Sequence, residues 1–127
     1  MTTTLKDMLA AARTAVPDIT PADAAKLIAS GDALVVDIRD GTEITASGKV
    51  KGAIAVSRGM LEFRAAPDAP TYDPAFRTDR PVILYCGSGG RAALAGKTLL
   101  DFGFKDVRNL GAFKNRTRRG VLPLTRQ

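Results

Sequence analysis

Apolar residues recur along this chain in two rhythms, and the alternation between them predicts its architecture. In "TLKDMLAAARTAV", Leu5, Met8, Leu9, Ala12 and Val16 fall on one stripe, the spacing of an amphipathic helix. "PDITPADAAKLIASGD" predicts a second helix, with Thr20 as its cap, Pro21 in its first turn, Asp23 completing a capping box and Gly31 past its end. The rhythm then changes. "ALVVDI" is a near-continuous apolar run rich in β-branched residues and predicts a buried strand; "GAIAVS" predicts a second, and "PVILYC" a third, the most hydrophobic. Between the last two lies "RGMLEFRAAPDAPTYDPAFRTDR", which predicts a short helix from Gly59 to Ala65 and then a proline-rich surface loop. "RAALAGKTLLDFGF" returns to helical spacing through Ala92, Ala95, Leu99 and Phe102, with Gly103 to stop it. "DVRNL" predicts a last short strand, and "GAFKNRTRRG" a basic terminal helix.

Strands alternate with helices, and the central strands are apolar on both faces. That pattern predicts an α/β fold, a parallel sheet covered by helices on both sides. In such sheets the functional site lies beyond the carboxyl ends of the strands. Three features fall there: Asp37 to Arg39 after the first long strand, Ser57 and Arg58 after the second, and Cys86 after the third.

Composition narrows the chemistry. The 127 residues are 45% hydrophobic and 25% charged, ordinary for a soluble globular domain, and no apolar run approaches the length of a membrane span. The first residues lack a basic region followed by an apolar stretch, so no secretory signal is expected. A single cysteine forms no internal disulfide, which fits a reducing cytoplasm. The absence of histidine excludes Ser-His-Asp and Cys-His mechanisms and any His-ligated metal, and one cysteine excludes a thiolate cage for zinc. No metal and no cofactor is therefore implied. The net charge of +6 raises nucleic acid as a partner, but aromatic platforms and a recognised motif are lacking, and nucleic-acid binding is not expected.

The chain places its one thiol at the mouth of "CGSGGR". Glycines at 87, 89 and 90 let the segment between strand and helix curl tightly, so that its amides can point inward as an anion-binding nest. The helix that opens near Arg91 adds the partial positive charge of its N-terminus. Such surroundings favour a thiolate, which makes Cys86 a candidate nucleophile that needs no histidine. A lone cysteine after an apolar strand is often only a small buried residue. The run of glycines tips the reading toward function, because a plain turn needs fewer of them.

These segments together identify a resemblance. "VVDIRDGTE", "GKVKGAIAVSRGMLEF", "PVILYCGSGGRAALAGKTLLDFGF" and "VRNLGAF" resemble, in order and spacing, the rhodanese-like domain, a family of sulfurtransferases; the likeness runs from about Thr20 to Pro123. It implies a five-stranded, mostly parallel sheet with helices on both faces, a short strand near Asp18–Ile19, a rhodanese-like domain over 20–127, and a leading helix and lead-in over 1–19. It also implies that Cys86 carries sulfane sulfur. A small donor such as thiosulfate, mercaptopyruvate or a persulfide loads the thiolate, and a thiol or cyanide accepts the sulfur, a double displacement. The amides of Gly87, Ser88, Gly89, Gly90 and Arg91 would cradle the terminal sulfur. Arg58, by its place after the second long strand, reads equally as a residue that holds an anionic donor and as solvated surface. Asp37, Arg39 and Glu43 are read chiefly as an ion-pair group that pins the loops around the site, and Lys97 with Asp101 as a solvated pair. The six residues from Cys86 to Arg91 match the loop size that the family associates with sulfur transfer. Phosphatase and arsenate reductase relatives carry one residue more, which would put an arginine at position 92, where this chain has alanine. Departures from the family pattern are Lys49 and Lys51 in "GKVKGAI", and Gly111-Ala112 with Arg116 near the end, the latter bearing on how the last helix docks.

The readings that compete are a sulfurtransferase, a cysteine-dependent phosphatase or arsenate reductase, and a non-catalytic rhodanese-like binding or sensing module. From Val107 onward the chain has no acidic residue and carries Arg108, Lys114, Arg116, Arg118, Arg119 and Arg126, so an acidic partner protein is a further candidate.

Overall fold

The computed structural model describes residues 2–116 and 122–125. Helices α1 (Leu5–Ala15) and α2 (Pro21–Ala29) lead into β1 (Leu34–Asp37); α3 (Gly41–Ser47), β2 (Lys49–Val50) and β3 (Ile54–Ala55) follow. A 3-10 turn over Arg58–Met60 runs into α4 (Leu61–Ala65), and then come β4 (Val82–Cys86), α5 (Gly90–Asp101), β5 (Val107–Ala112), α6 (Phe113–Arg116) and β6 (Leu124–Thr125). The main sheet has the order β3-β1-β4-β5, and every pairing in it is parallel. The strand expected near Asp18–Ile19 is reduced to a single parallel bridge between Asp18 and Asn109, so the sheet has four strands and a bridge rather than five strands.

Strand residues alternate between two cores, as the two-residue period requires. Leu34, Val36, Val82, Leu84 and Cys86 pack with Val16, Leu61, Ala92, Ala95 and Leu99, under α1, α4 and α5. Val35, Ile83 and Tyr85 pack on the other face with Ala24, Val50, Leu110 and Phe113. All of β1 and β4 is buried, which is why β4 reads as an unbroken apolar run and β1 as one interrupted only by Asp37 at its end.

Several expectations need correcting. The α1 stripe is only half used: Ala12 and Val16 are buried, but Leu5 and Met8 stand 64% and 49% exposed. At α2, Thr20 Oγ1 accepts from the Asp23 amide at 3.1 Å, but Asp23 returns no bond, so the box there is half formed. The complete box is at α1, between Thr4 and Asp7. The strand expected over "GAIAVS" is two residues long. The lysines of "GKVKGAI" belong instead to β2 and its exit, where β2 pairs antiparallel with β6 and Lys49 Nζ donates to Ala53 O at 2.7 Å. The basic terminal helix is described only as α6; the expected remainder, 117–120, lies outside the described residues.

Candidate functional site

Cys86 closes β4, paired in register with Ala112 of β5. Its side chain is buried on the α5 side of the sheet. The chain then turns through Gly87 and Ser88, both exposed, into Gly89, which caps α5 with φ of 95°. An L side chain rarely adopts that angle, which favours glycine here; a Cβ would stand in van der Waals contact with Gly111 Cα at 3.4 Å. The turn brings two amides onto the sulfur: Gly89 N donates to Cys86 Sγ at 3.0 Å and Ala92 N at 3.4 Å. Ala92 was not among the expected donors. Its contribution comes from the first turn of α5, where amides have no intrahelical acceptor. Of the expected cradle, the amides of Gly87, Ser88, Gly90 and Arg91 make no bond to Sγ.

Arg91 turns away from the sulfur to Glu43, in a two-pronged ion pair at 2.7 and 3.1 Å. This pair explains Gly87, because a Cβ at that position would lie 3.0 Å from Arg91 Nη2 and 3.4 Å from Glu43 Oε2. The hydrogen bond from Arg91, aided by the Asp40 amide, holds the Glu43 carboxyl down at about 2, and Glu43 in turn raises Arg91. Glu43 Oε1 also accepts from Asp40 N at 3.1 Å, which fixes the start of α3. α3 was not anticipated, because "GTEITAS" is poor in helix formers.

Asp37 and Arg39 form a buried unit beneath the loop. Arg39 Nη2 lies 2.8 Å from Asp37 Oδ2, Arg39 Nε donates to Oδ1 at 3.0 Å, and the Arg39 amide also donates to Oδ1. The remaining guanidinium donors reach Ser47 Oγ and Gly48 O, both at 2.7 Å, and tie the end of α3 to β1. Arg39 stacks on Phe113, 3.9 Å from the ring centroid, and Phe113 stacks on Tyr85, so α6 docks through an aromatic–guanidinium sandwich. Burial alone would lower Arg39, but Asp37 outweighs it and the net shift is upward. Burial, and then Asp37, push the Tyr85 phenol up as well.

Arg39, Glu43, Ser47, Gly87, Phe113 and Lys114 line an open hollow of about 560 Å³ beside the loop. The expected group is thus brought together, with one exception. Arg58 donates to Glu62 at 2.9 Å and to Thr98 at 3.2 Å, and borders a hollow between α1 and α5. Lys97 and Asp101 form the expected exposed pair, at 3.4 Å. Sequence reasoning also missed Asn109, buried in β5. Its Nδ2 donates to Gly89 O at 3.1 Å, and its Oδ1 accepts from Gly111 N at 2.8 Å, so it clamps the loop to the sheet edge. The one uncharged polar residue of "DVRNL" was the available signal.

Among the described residues, no helix is long and apolar enough to cross a membrane. Comparison with known proteins agrees with the geometry. The family model of the rhodanese-like domain matches residues 20–115. The chain is 32% identical over 92 residues to a tRNA uridine(34) hydroxylase of Nitrobacter winogradskyi, covering 72% of this chain but 35% of that protein. A solved structure from Rhodopseudomonas palustris, described as a protein of unknown function and possible tyrosine phosphatase, superposes with a TM-score of 0.87 at 39% identity, over 98% of this chain and 96% of the other. The polysulfide-sulfur transferase homodimer of Wolinella succinogenes follows with a TM-score of 0.74 at 33% identity, over 94% and 85%. The chain thus spans about a third of the hydroxylase's length and nearly the whole of the two solved structures. The fold, the cysteine loop and the family match lead to one assignment: this chain belongs to the rhodanese-like domain family.

Proposed function

We propose that this protein is a sulfurtransferase that works through a persulfide on Cys86. The observation that carries the reading is the lone thiol, held by the amides of Gly89 and Ala92 at the mouth of a 12-residue helix. With thiosulfate as donor, the Cys86 thiolate attacks the outer sulfur. A new S–S bond forms at Cys86, the sulfur–sulfur bond of thiosulfate breaks, and sulfite leaves with its electron pair. An acceptor thiolate or cyanide then attacks the outer sulfur of the persulfide and returns Cys86 as thiolate. With mercaptopyruvate the bond that breaks is carbon–sulfur, and pyruvate leaves as its enolate and takes a proton from solvent; with a low-molecular-weight persulfide the sulfur–sulfur bond breaks and a thiolate leaves. The Wolinella succinogenes relative adds polysulfide to the donors worth testing. The terminal sulfur carries negative charge, and the amides that Sγ leaves unused, at Gly87, Ser88, Gly90 and Arg91, are the nearest donors to stabilise it. The hollow beside Gly87, bordered by Lys114, is one open side from which donor or acceptor can reach the loop. A single thiol with no disulfide suits a reducing compartment, and we place the reaction in the cytoplasm.

A phosphatase reading is favoured by the description of the Rhodopseudomonas palustris protein. Loop length argues against it: Arg91 ends a six-residue loop, and position 92 is alanine. The deciding experiment is intact mass spectrometry after exposure to thiosulfate, mercaptopyruvate and polysulfide, beside an aryl phosphate assay. The expected result is a gain of one sulfur atom, removed by cyanide, and no phosphate release. C86S should show neither gain nor turnover while keeping its fold. Retained sulfur transfer in that variant would sink the mechanism, because the chain has no second cysteine.

A further inference from the structure

Helix α1 precedes the segment that the family model matches, yet it reaches the cysteine loop. It lies along α5, and the contact is close because small residues meet there. Ala12 is fully buried, and a Cβ on Gly96 would stand 2.8 Å from Val16. This packing sets the backbone of α1 beside the loop, with Leu9 partly buried and Arg13 exposed. Leu9 Cδ2 lies 3.7 Å from the Cβ position of Gly90, and Arg13 Nη1 lies 4.0 Å from that of Gly89.

Gly89 is the residue whose amide binds Cys86 Sγ, at 3.0 Å. The two covalent bonds from its nitrogen to the Cβ position add at most about 3 Å. Arg13 Nη1 therefore stands no more than about 10 Å from the sulfur, comparable to a Debye length in moderate salt. Neighbouring guanidinium groups are engaged: Arg39 by Asp37, Arg58 by Glu62, Arg91 by Glu43, Arg108 by Asp106. Among the described residues, Arg13 makes no ion pair and no side-chain hydrogen bond. A cation in the last turn of a helix has an ordinary use against the helix dipole, worth a few tenths of a kcal/mol at an exposed site. That use does not require the side chain to reach across to the loop of another helix.

We propose that Arg13 is a donor-binding residue, a guanidinium with no ion-pair partner among the described residues, which α1 places over the Gly89 side of the cysteine loop to draw in and orient anionic sulfur donors. The proposal deepens the sulfurtransferase reading and rests on it for the identity of the donor. It does not rest on it for the electrostatics.

The test uses that difference. Cys86 is the only cysteine, so its alkylation can be followed by intact mass. Rates with anionic iodoacetate and neutral iodoacetamide are compared in the parent, R13Q and R13K. The ratio of the two rates cancels whatever opening both reagents need and whatever fraction of the sulfur is thiolate. It should fall about two- to fivefold in R13Q at low salt and be retained in R13K. The KM for thiosulfate should rise in R13Q by at least that factor, with kcat held. A ratio unchanged in R13Q overturns the assignment of Arg13, whatever the sulfur-transfer data say. A ratio that falls in a protein whose parent transfers no sulfur keeps Arg13 as an anion-binding residue and removes the sulfurtransferase reading instead.

Discussion

Glu43 shows how one half-buried carboxylate can organise a site. It receives both prongs of Arg91 and the Asp40 amide, so it joins the last residue of the cysteine loop to the first turn of α3. Its carboxyl is lowered from 4.5 to about 2, chiefly by the hydrogen bond from Arg91. A depressed carboxyl contributes stability that is complete above the unfolded value and is lost as pH falls through the folded one. The Glu43 contribution should therefore be full above about pH 4.5 and fade between there and pH 2. Urea unfolding of the parent and E43Q should show a gap at pH 7 that narrows across that window. Both side chains are more than a third exposed, so solvent screens the pair and the gap should be small. A gap that stayed constant down to pH 2 would mean that Glu43 acts through packing rather than charge. The buried pair below it differs in kind. Asp37 is fully buried and Arg39 only 4% exposed, with every prong of the guanidinium used, which suits a strut rather than a reactive group.

At the scale of elements, the contact between α1 and α5 sets how close the leading helix comes to the loop. A Cβ on Gly96 would meet Val16 at 2.8 and 2.9 Å and Val107 at 3.3 Å, and both neighbours are buried and branched. Replacing Gly96 with alanine gains up to about 1 kcal/mol of helix propensity. Overpacking at a buried contact costs about 1–3 kcal/mol, so the packing loss should win. G96A should be destabilised by about 1–2 kcal/mol in urea unfolding and should shift α1, blunting the iodoacetate preference assigned to Arg13. A stabilised G96A would mean that Val16 gives way freely. What the sequence disclosed at this scale depended on burial. β1, β4 and α5 were legible because both faces of the strands, up to Asp37 at the end of β1, and one face of the helix are apolar. The β2–β6 ladder has two residues on each side, too few for any period to show. α3 was hidden because ion pairs and capping, rather than propensity, hold it. Asn109 was hidden because its role depends on β5 skipping a residue: Leu84 pairs with Asn109 but Tyr85 with Gly111, and that irregularity brings Gly111 N back onto the Asn109 side chain.

Across the whole molecule, charge is distributed unevenly, and the unevenness starts at the site. The net charge is +6, and from Val107 to the last residue there are six basic residues and no acid. That segment begins in β5, whose Ala112 pairs with Cys86; α6 follows at once, and Lys114 borders the hollow beside Gly87. Arg118 and Arg119 lie outside the described residues; of the described part, α6 begins where β5 ends and β6 pairs with β2. α6 thus starts at the carboxyl end of the sheet, where the neighbouring strand β4 ends in Cys86. A solvated basic segment would be indifferent to the donor, whereas a steering segment raises the encounter rate of anions and is screened by salt over about 8 Å at physiological ionic strength. Changing Arg116, Arg118 and Arg119 together to glutamine should lower kcat/KM for thiosulfate two- to fivefold at low salt, with kcat little changed, and the difference should vanish as ionic strength rises. R13Q should behave differently, keeping part of its KM defect at high salt because a donor-binding group acts at contact. The two sets of variants therefore separate long-range attraction from local binding. A triple variant equal to its parent at low salt, with thiosulfate and with acidic protein acceptors alike, would leave the segment as solvated surface and assign donor recognition to Arg13 and the loop.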